Sequence, residues 1–337
     1  MAVATTLERY TIRPATMADI PAVVELENLC SIEQIGKPEI DAEEIRLEWE
    51  TPGFDPATDT RLIHALDGTL VGMIEVWDTS EPHVNLFSHG RTHPEYRGLG
   101  IGTALMEWAE QRAREAFAKA PADAQVTLGQ GTINIDTLAA DLFQVHGYNL
   151  ARHFWRMEIE LDSAPPAVQL PNGITIRAYD PATELPAVVQ AARDSFQDHW
   201  GYVAEPFAKE LEKWQQYIRG NENYDPTLFF VALDGDQYAG ISMCWRKTTE
   251  DLKMGWVGTL GVSRPWRRSG LGLALLLHSF HEFYARGQER VGLGVDASSL
   301  TGATRLYEKA GMRATRQWDR YEKVLRPGVD LRTQTVE

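Results

Sequence analysis

Cysteine is scarce: Cys30 and Cys244 are the only two, one in each half of the chain. A disulfide framework or a thiolate metal centre needs clustered cysteines, so neither is expected, and no metal is expected at all. Two free thiols fit a reducing cytoplasm. Long apolar runs are missing as well. No stretch reaches the roughly 18 consecutive apolar residues of a membrane span. The opening stretch MAVATTLERYTIRPAT lacks a basic segment followed by an apolar core, so no secretory signal is expected there. Basic charge is in deficit: 33 lysines and arginines face 48 aspartates and glutamates, a formal net charge of −15 at pH 7. Neutralising phosphates requires a basic face, so nucleic acid is not the expected partner. An acidic balance favours solubility and is compatible with a cationic small substrate.

What is present is an ordinary globular composition, 43% hydrophobic and 24% charged over 337 residues. That length suits two domains, at roughly 100–200 residues each. The chain also repeats itself. TIRPATMADIPAVVEL from Thr11 matches TIRAYDPATELPAVVQA from Thr175, with one residue inserted. PEYRGLGIGTALMEWA from Pro94 matches PWRRSGLGLALLLHSF from Pro265. LFQVHGYNLARHFWRMEIEL from Leu142 parallels LYEKAGMRATRQWDRYEKVL from Leu306. Collinear landmarks of this kind mean two copies of one domain. The expected boundaries are 1–161 for the first copy, a Pro-rich linker over 162–173, 174–325 for the second copy, and a frayed polar tail over 326–337. The second copy reads β-α-α-β-β-β-α-β-α-β. The expected fold is α/β, a mixed sheet with helices on both faces. Leu273, Leu276, Leu277, Phe280 and Tyr284 make the buried stripe of its central helix.

The repeated glycine corner joins a strand to a helix. A helix N-terminus offers unpaired N–H donors and partial positive charge, which together make an anion site. Gly270 and Gly272 let the backbone approach a phosphate, and Arg267 and Arg268 add charge and directional donors. A Walker A loop would end in Gly-Lys-Ser or Gly-Lys-Thr, and neither corner has that lysine. A dinucleotide fingerprint needs a third glycine, where this chain has Leu105 and Leu275.

The pattern Arg-x-x-Gly-x-Gly, read as RGLGIG and RRSGLG, resembles the acetyl-CoA loop of the GNAT acyltransferase family. The resemblance extends through RVGLGVDA and ATRLYEKAGM and covers almost the whole chain as two tandem domains. It implies two GNAT folds, each a mixed, mostly antiparallel sheet flanked by helices, with acetyl-CoA as cofactor. It implies that the loop amides and arginines hold the CoA pyrophosphate. These are Arg97, Gly98, Leu99, Gly100, Ile101, Gly102 and Thr103 in the first copy. In the second they are Arg267, Arg268, Ser269, Gly270, Leu271, Gly272 and Leu273. The pantetheine arm would pair like an extra strand, at Gly90 and Thr92 or at Leu260 and Val262. Tyr307 stands where the family keeps a tyrosine that protonates the departing thiolate. The first copy has Phe143 there, which has no proton to give. The second copy is therefore expected to carry the activity.

A proton acceptor for the incoming amine is harder to place. The strand MGWVGTLGVS before the second corner holds no carboxylate. Asp198 and His199 are the candidates for the acceptor side, and His89 stands in the first copy at the place of Thr259. The expected function is transfer of an acetyl group from acetyl-CoA to a primary amine of a small molecule. The layout is also similar to the mycothiol synthases, tandem GNAT enzymes that acetylate a cysteinyl glycoside. A CoA-binding sensor or scaffold without turnover is the remaining alternative.

Overall fold

Residues 7–334 are described in a computed structural model of the chain. Alternating and β-branched segments become strands and amphipathic segments become helices, in the same order in both copies apart from one short helix, α3, of the first. The first half contains β1 (Thr11–Arg13), α1 (Ile20–Ile35), α2 (Ala42–Trp49), α3 (Pro56–Asp59), β2 (Thr60–His64), β3 (Leu70–Trp77), β4 (Asn85–Thr92), α4 (Ile101–Arg114), β5 (Val126–Ile133), α5 (Thr137–Val145) and β6 (Asn149–Glu160). The second contains β7 (Ile174–Ala178), α6 (Leu185–Phe196), α7 (Phe207–Gly220), β8 (Phe229–Asp234), β9 (Gln237–Trp245), β10 (Met254–Val262), α8 (Leu271–Ala285), β11 (Arg290–Asp296), α9 (Ala303–Lys309) and β12 (Arg313–Arg326). Among the described residues, no helix is long and apolar enough to cross a membrane.

The compact units are not the two copies as they stand in sequence. One takes the chain up to Ala151 together with Trp318–Leu331; the other takes Arg152–Gln317 and the residues from Arg332. Each copy gives its last strand to the other unit. β12 pairs antiparallel with β5, Trp318 opposite Ile133 and Tyr321 opposite Gln130. β6 pairs antiparallel with β11, Phe154 opposite Asp296 and Glu160 opposite Arg290. Two copies of one fold offer equivalent edges, so either closing strand completes either ladder without loss of hydrogen bonds. Part of the stretch expected as a frayed tail is held in place. Arg326 donates to the Ala124 and Phe117 carbonyls at 3.0 and 3.1 Å, and Val329 exchanges backbone bonds with Asp123 and Gln125 at 2.8 Å. The stretch expected as a linker, 162–173, forms neither helix nor strand.

In the first unit the sheet runs β1, β2, β3, β4, β5, β12, with β4 and β5 the parallel pair. In the second it runs β7, β8, β9, β10, β11, β6, with β10 and β11 parallel. Core packing follows the helical period with one correction. Tyr284 is exposed and Phe283 takes the inner position, because i+3 from buried Phe280 stays over the sheet. Gly311, at φ +93°, ends α9, and Met312 N–H reaches back to the Tyr307 carbonyl at 3.0 Å.

Candidate active site

The two parallel pairs hold together only at their beginnings. β4 and β5 are in register from Asn85 to Phe87 and then part. β10 and β11 are in register from Met254 to Val257 and then part. Beyond the split, one edge of β4 is unpaired. His93 N–H donates to the Val71 carbonyl, so strand alternation turns the backbone groups of Thr92 and Gly90 away from β3 and toward the gap. Ser263 N–H donates to the Ala239 carbonyl and sets Val262 and Leu260 in the same way. The four residues expected to pair with an extended arm therefore face away from the neighbouring strand, and of these the Val262 carbonyl accepts from Arg267.

At the end of each open edge stands the glycine corner. Gly98 and Gly100 have φ +77° and +85°, and a Cβ on either would meet nothing within 4 Å, so backbone conformation sets the need for glycine. Gly102 is held by closeness instead, since its Cβ would lie 3.0 Å from Leu142 Cδ2. The first-turn amides of α4 have no partner within the helix and face outward from this corner. In the second unit Gly270 is N-cap of α8 at φ +91°, and Arg268 takes the left-handed conformation of Gly98, at φ +63°.

In the first unit the split and the corner together open a cleft of about 380 Å³. Gly90, Arg91 and Thr92 of β4 line one side and Gln130, Gly131 and Thr132 of β5 the other. Arg97, Gly98, Gly100, Gly102 and Thr103 close the end, and Leu142 and Phe143 of α5 form part of the wall.

The sequence profile of the acetyltransferase (GNAT) family matches residues 20–130 and again 186–312. The chain belongs to the acetyltransferase (GNAT) family. It is 29% identical to a mycothiol acetyltransferase of Saccharopolyspora erythraea over 262 residues, 75% of this chain and 82% of that one. Its fold matches a GCN5-related N-acetyltransferase from Sphaerobacter thermophilus with a TM-score of 0.80 and 35% identity, over 96% of this chain and 98% of that one. A tandem GNAT protein from the clavulanic acid biosynthesis pathway shares the fold at 16% identity, with a TM-score of 0.66 and coverage of 95% and 100%. Both GNAT copies expected from the sequence are thus found, and the chain is an acetyltransferase.

Within this GNAT frame Arg97 and Arg267 are engaged by the protein itself, while Arg268 is exposed. Arg97 pairs with Glu33 of α1 at 2.6 Å. Arg267 donates to the Val262 carbonyl at 3.1 Å, the Ser195 carbonyl at 3.1 Å and Asp198 at 2.5 Å. Both guanidiniums brace the corner against the first helix of their unit. Asp198 belongs to that brace. It is 2% exposed and pairs with Arg264 as well as Arg267. The Arg264 hydrogen bond, against the penalty of burial, holds its carboxyl at about 2. A buried carboxylate that accepts from two guanidiniums is committed to the brace, which speaks against its expected role toward an acceptor. His199 packs on Phe196 with ring centroids 4.4 Å apart, and burial and then the Arg267 charge lower it. Tyr307 is 7% exposed within the apolar core of the second unit, and burial pushes its phenol up to about 12. It keeps its proton at any working pH, so what it offers is a hydrogen bond rather than a strong acid.

A group of titratable residues in the first unit lies far apart in the sequence and was not among the candidates. β3 and β4 pair so that Glu75 lies opposite His89. Glu27 of α1 reaches both His89 Nε2, at 2.7 Å, and Arg91 Nε, at 2.8 Å. Glu75 accepts from Trp77 Nε1 at 2.9 Å and Trp49 Nε1 at 3.1 Å. Burial alone would raise Glu27, but the His89 and Arg91 charges hold it down at about 2. Burial raises Glu75. Loss of water around the carboxyl and then the Glu75 charge push Glu48 of α2 up to about 8. Burial works against the charged form of His89, and Glu27 outweighs it, so the net shift is upward. Laying one copy over the other in sequence would have exposed the contrast. The places of Glu27, Glu75, His89 and Arg91 are taken by Ala192, Met243, Thr259 and Gly261 in the second unit.

Proposed function

We propose that the chain is an acetyl-CoA-dependent N-acetyltransferase that acts on a primary amine of a small molecule. The observation that carries this reading is the first unit's cleft, in which an open strand edge leads directly into a glycine corner. Acetyl-CoA, when bound, supplies an acetyl group activated as a thioester. The Gly98–Thr103 backbone amides suit its pyrophosphate, since helix N-terminal donors favour anions. The open edge at Gly90 and Thr92 suits an amide-bearing arm laid down as a strand. The absence of side chains at Gly98, Gly100 and Gly102 is the condition for that close approach.

The chemistry requires an ammonium to lose its proton before its lone pair can attack. A new C–N bond then forms as the C–S bond breaks, and the sulfur leaves as a thiol. A preorganised backbone N–H can stabilise the oxygen charge that develops between those events. A second reading places the turnover in the second unit, where Tyr307 remains protonated and Leu260 and Val262 face away from β9 at the corresponding edge. A mycothiol-type acceptor is favoured only by the names of the relatives.

The test is release of CoA thiol by the purified protein against polyamines, amino acids, aminoglycosides, cysteinyl glycosides and peptides, alongside calorimetric titration with acetyl-CoA. Amine-dependent thiol release is the expected result. Binding of acetyl-CoA with no release across the panel would replace the enzyme with a CoA sensor.

A further inference from the structure

We propose that the first unit carries the acceptor site, with His89 taking the proton from an acceptor that arrives as an ammonium and Glu27 positioning His89. This rests on the acetyl-transfer reading above and deepens it by naming the unit, the proton acceptor and the charge of the acceptor.

The geometry assigns the imidazole's two nitrogens. Glu27 is ionised, so its Oε1 accepts and His89 Nε2 carries the hydrogen. Nδ1 then holds the lone pair, and among the described residues it has no hydrogen-bond partner. The ring is within reach of a ligand, with 29% of the side chain accessible. The next residue along β4, Gly90, lines the cleft. Titratable groups face His89 from every element around it: Glu27 from α1, Glu48 from α2, Glu75 from β3 and Arg91 from its own strand; burial raises Glu75 and pushes Glu48 up to about 8, so the charge beside the ring is that of Glu27 and Arg91. Glu48 retains an accessible surface although protein surrounds its carboxyl.

The fold itself does not call for this arrangement. Burying charges is expensive and is offset only when each is paired. The second unit builds the same strands and helix with Ala192, Met243, Thr259 and Gly261 at the four places. There α6 lies directly on β10, so that a Cβ on Gly261 would be 2.7 Å from Ser195 Cβ. Met243 and Ala192 belong to an apolar cluster. A paired, partly accessible histidine with one free nitrogen, beside an open cleft, is what proton abstraction needs.

The step balances as follows. The ammonium gives one proton to His89 Nδ1, and the neutral amine attacks the thioester carbonyl carbon. The C–N bond forms, the C–S bond breaks, and the sulfur takes the second proton of the nitrogen. His89 then releases its proton to solvent, so ammonium and thioester become amide, thiol and one free proton.

The probes are acetyl-CoA with spermidine, lysine, glucosamine and kanamycin, each measured with the full chain. With the best acceptor, His89→Gln is expected to lose about 100-fold or more in kcat, while acetyl-CoA affinity stays within threefold. The wild-type rate should fall on the acid side around a group somewhat above the ordinary histidine range, and His89→Gln should lack that limb. Glu27→Gln should move the limb to lower pH, because the charge that raises His89 is gone. Thr259→Val, at the same register position of the second unit, should leave kcat within twofold. If His89→Gln binds acetyl-CoA but turns over with wild-type rate and pH profile, the assignment is overturned. Should His89→Gln fail to fold, an acid limb left unmoved by Glu27→Gln overturns it equally. A wild-type chain that releases no thiol with any amine would instead defeat the acetyl-transfer reading.

Discussion

Two faces of one fold meet in this chain. In the first unit Glu27, Glu75, His89 and Arg91 occupy the surface between the first helix and the middle strands. In the second unit Ala192, Met243, Thr259 and Gly261 fill the same places, and helix packs on strand. Both units keep the parted strands, the corner and the helix start. The scaffold is therefore indifferent to what lies on that face, and chemistry belongs to the residues placed there. The phenol of Tyr307 and its counterpart Phe143 point toward the second unit; the charged face and the cleft point toward the first.

The sharpest break of that comparison lies in the corners. Gly100→Val forces a β-branched residue into φ +85° and sets a side chain among the amides. We expect kcat/KM for acetyl-CoA to fall by about 100-fold or more, a transition-state loss on the order of 3 kcal/mol. Gly270→Val makes the same change at φ +91° in the second unit. A loss confined to Gly270→Val would move the activity there. Tyr307→Phe sharpens the same contrast. With the first unit working, kcat should change by less than about threefold; a fall of about 100-fold would make Tyr307 the donor to the departing thiol.

Much of this was legible in the sequence because it is local. The corner is a run of adjacent residues, and its glycines announce positive φ and close approach. Element order followed from periodicity, and duplication followed from repeated landmarks. The charged face was not legible, because Glu27 meets His89 across 62 positions and looks, in sequence, like one more acid on an amphipathic helix. Asp198 misled for the same reason: its partners Arg264 and Arg267 lie 66 and 69 residues away. The strand exchange was hidden by the duplication itself. Closing strands of two similar copies carry similar patterns, and pattern alone does not say which edge each one joins.

The braces of the two corners should differ in strength. Asp198→Asn removes a buried charge that answers two guanidiniums, and we expect a loss of about 2–3 kcal/mol in denaturant unfolding. Glu33→Gln breaks a pair whose side chains are 27% and 45% accessible, and should lose under about 1 kcal/mol. The pH dependence has a definite sign. Asp198 is held at about 2, below its unfolded value near ~3.8, so its stabilisation is complete above that unfolded value. It is lost as pH falls toward 2. Asp198→Asn should flatten that part of the stability curve, and an unchanged acid transition would show that the brace is not what fails.

The smallest effect comes from exchanging a single residue between the corners. Gly98 and Arg268 occupy the same left-handed turn, at φ +77° and +63°. A side chain there costs about 1–2 kcal/mol in backbone sterics. A glycine there loses roughly 0.5–1 kcal/mol through the greater freedom of the unfolded chain. The balance favours glycine, so Arg268→Gly should stabilise by about 0.5 kcal/mol and Gly98→Arg should destabilise by a similar amount. Nothing lies within 4 Å of a Cβ at Gly98, so no clash adds to the second figure. If the turn only needs to be left-handed, Gly98→Arg will keep acetyl-CoA affinity within about threefold despite its lower stability. If the anion must touch the backbone at Gly98 itself, affinity will fall further than stability does, because an added side chain obstructs that approach. Chemical denaturation and acetyl-CoA titration of the same variant separate the two outcomes, and the second would mark Gly98 as the place where the two corners cease to be equivalent.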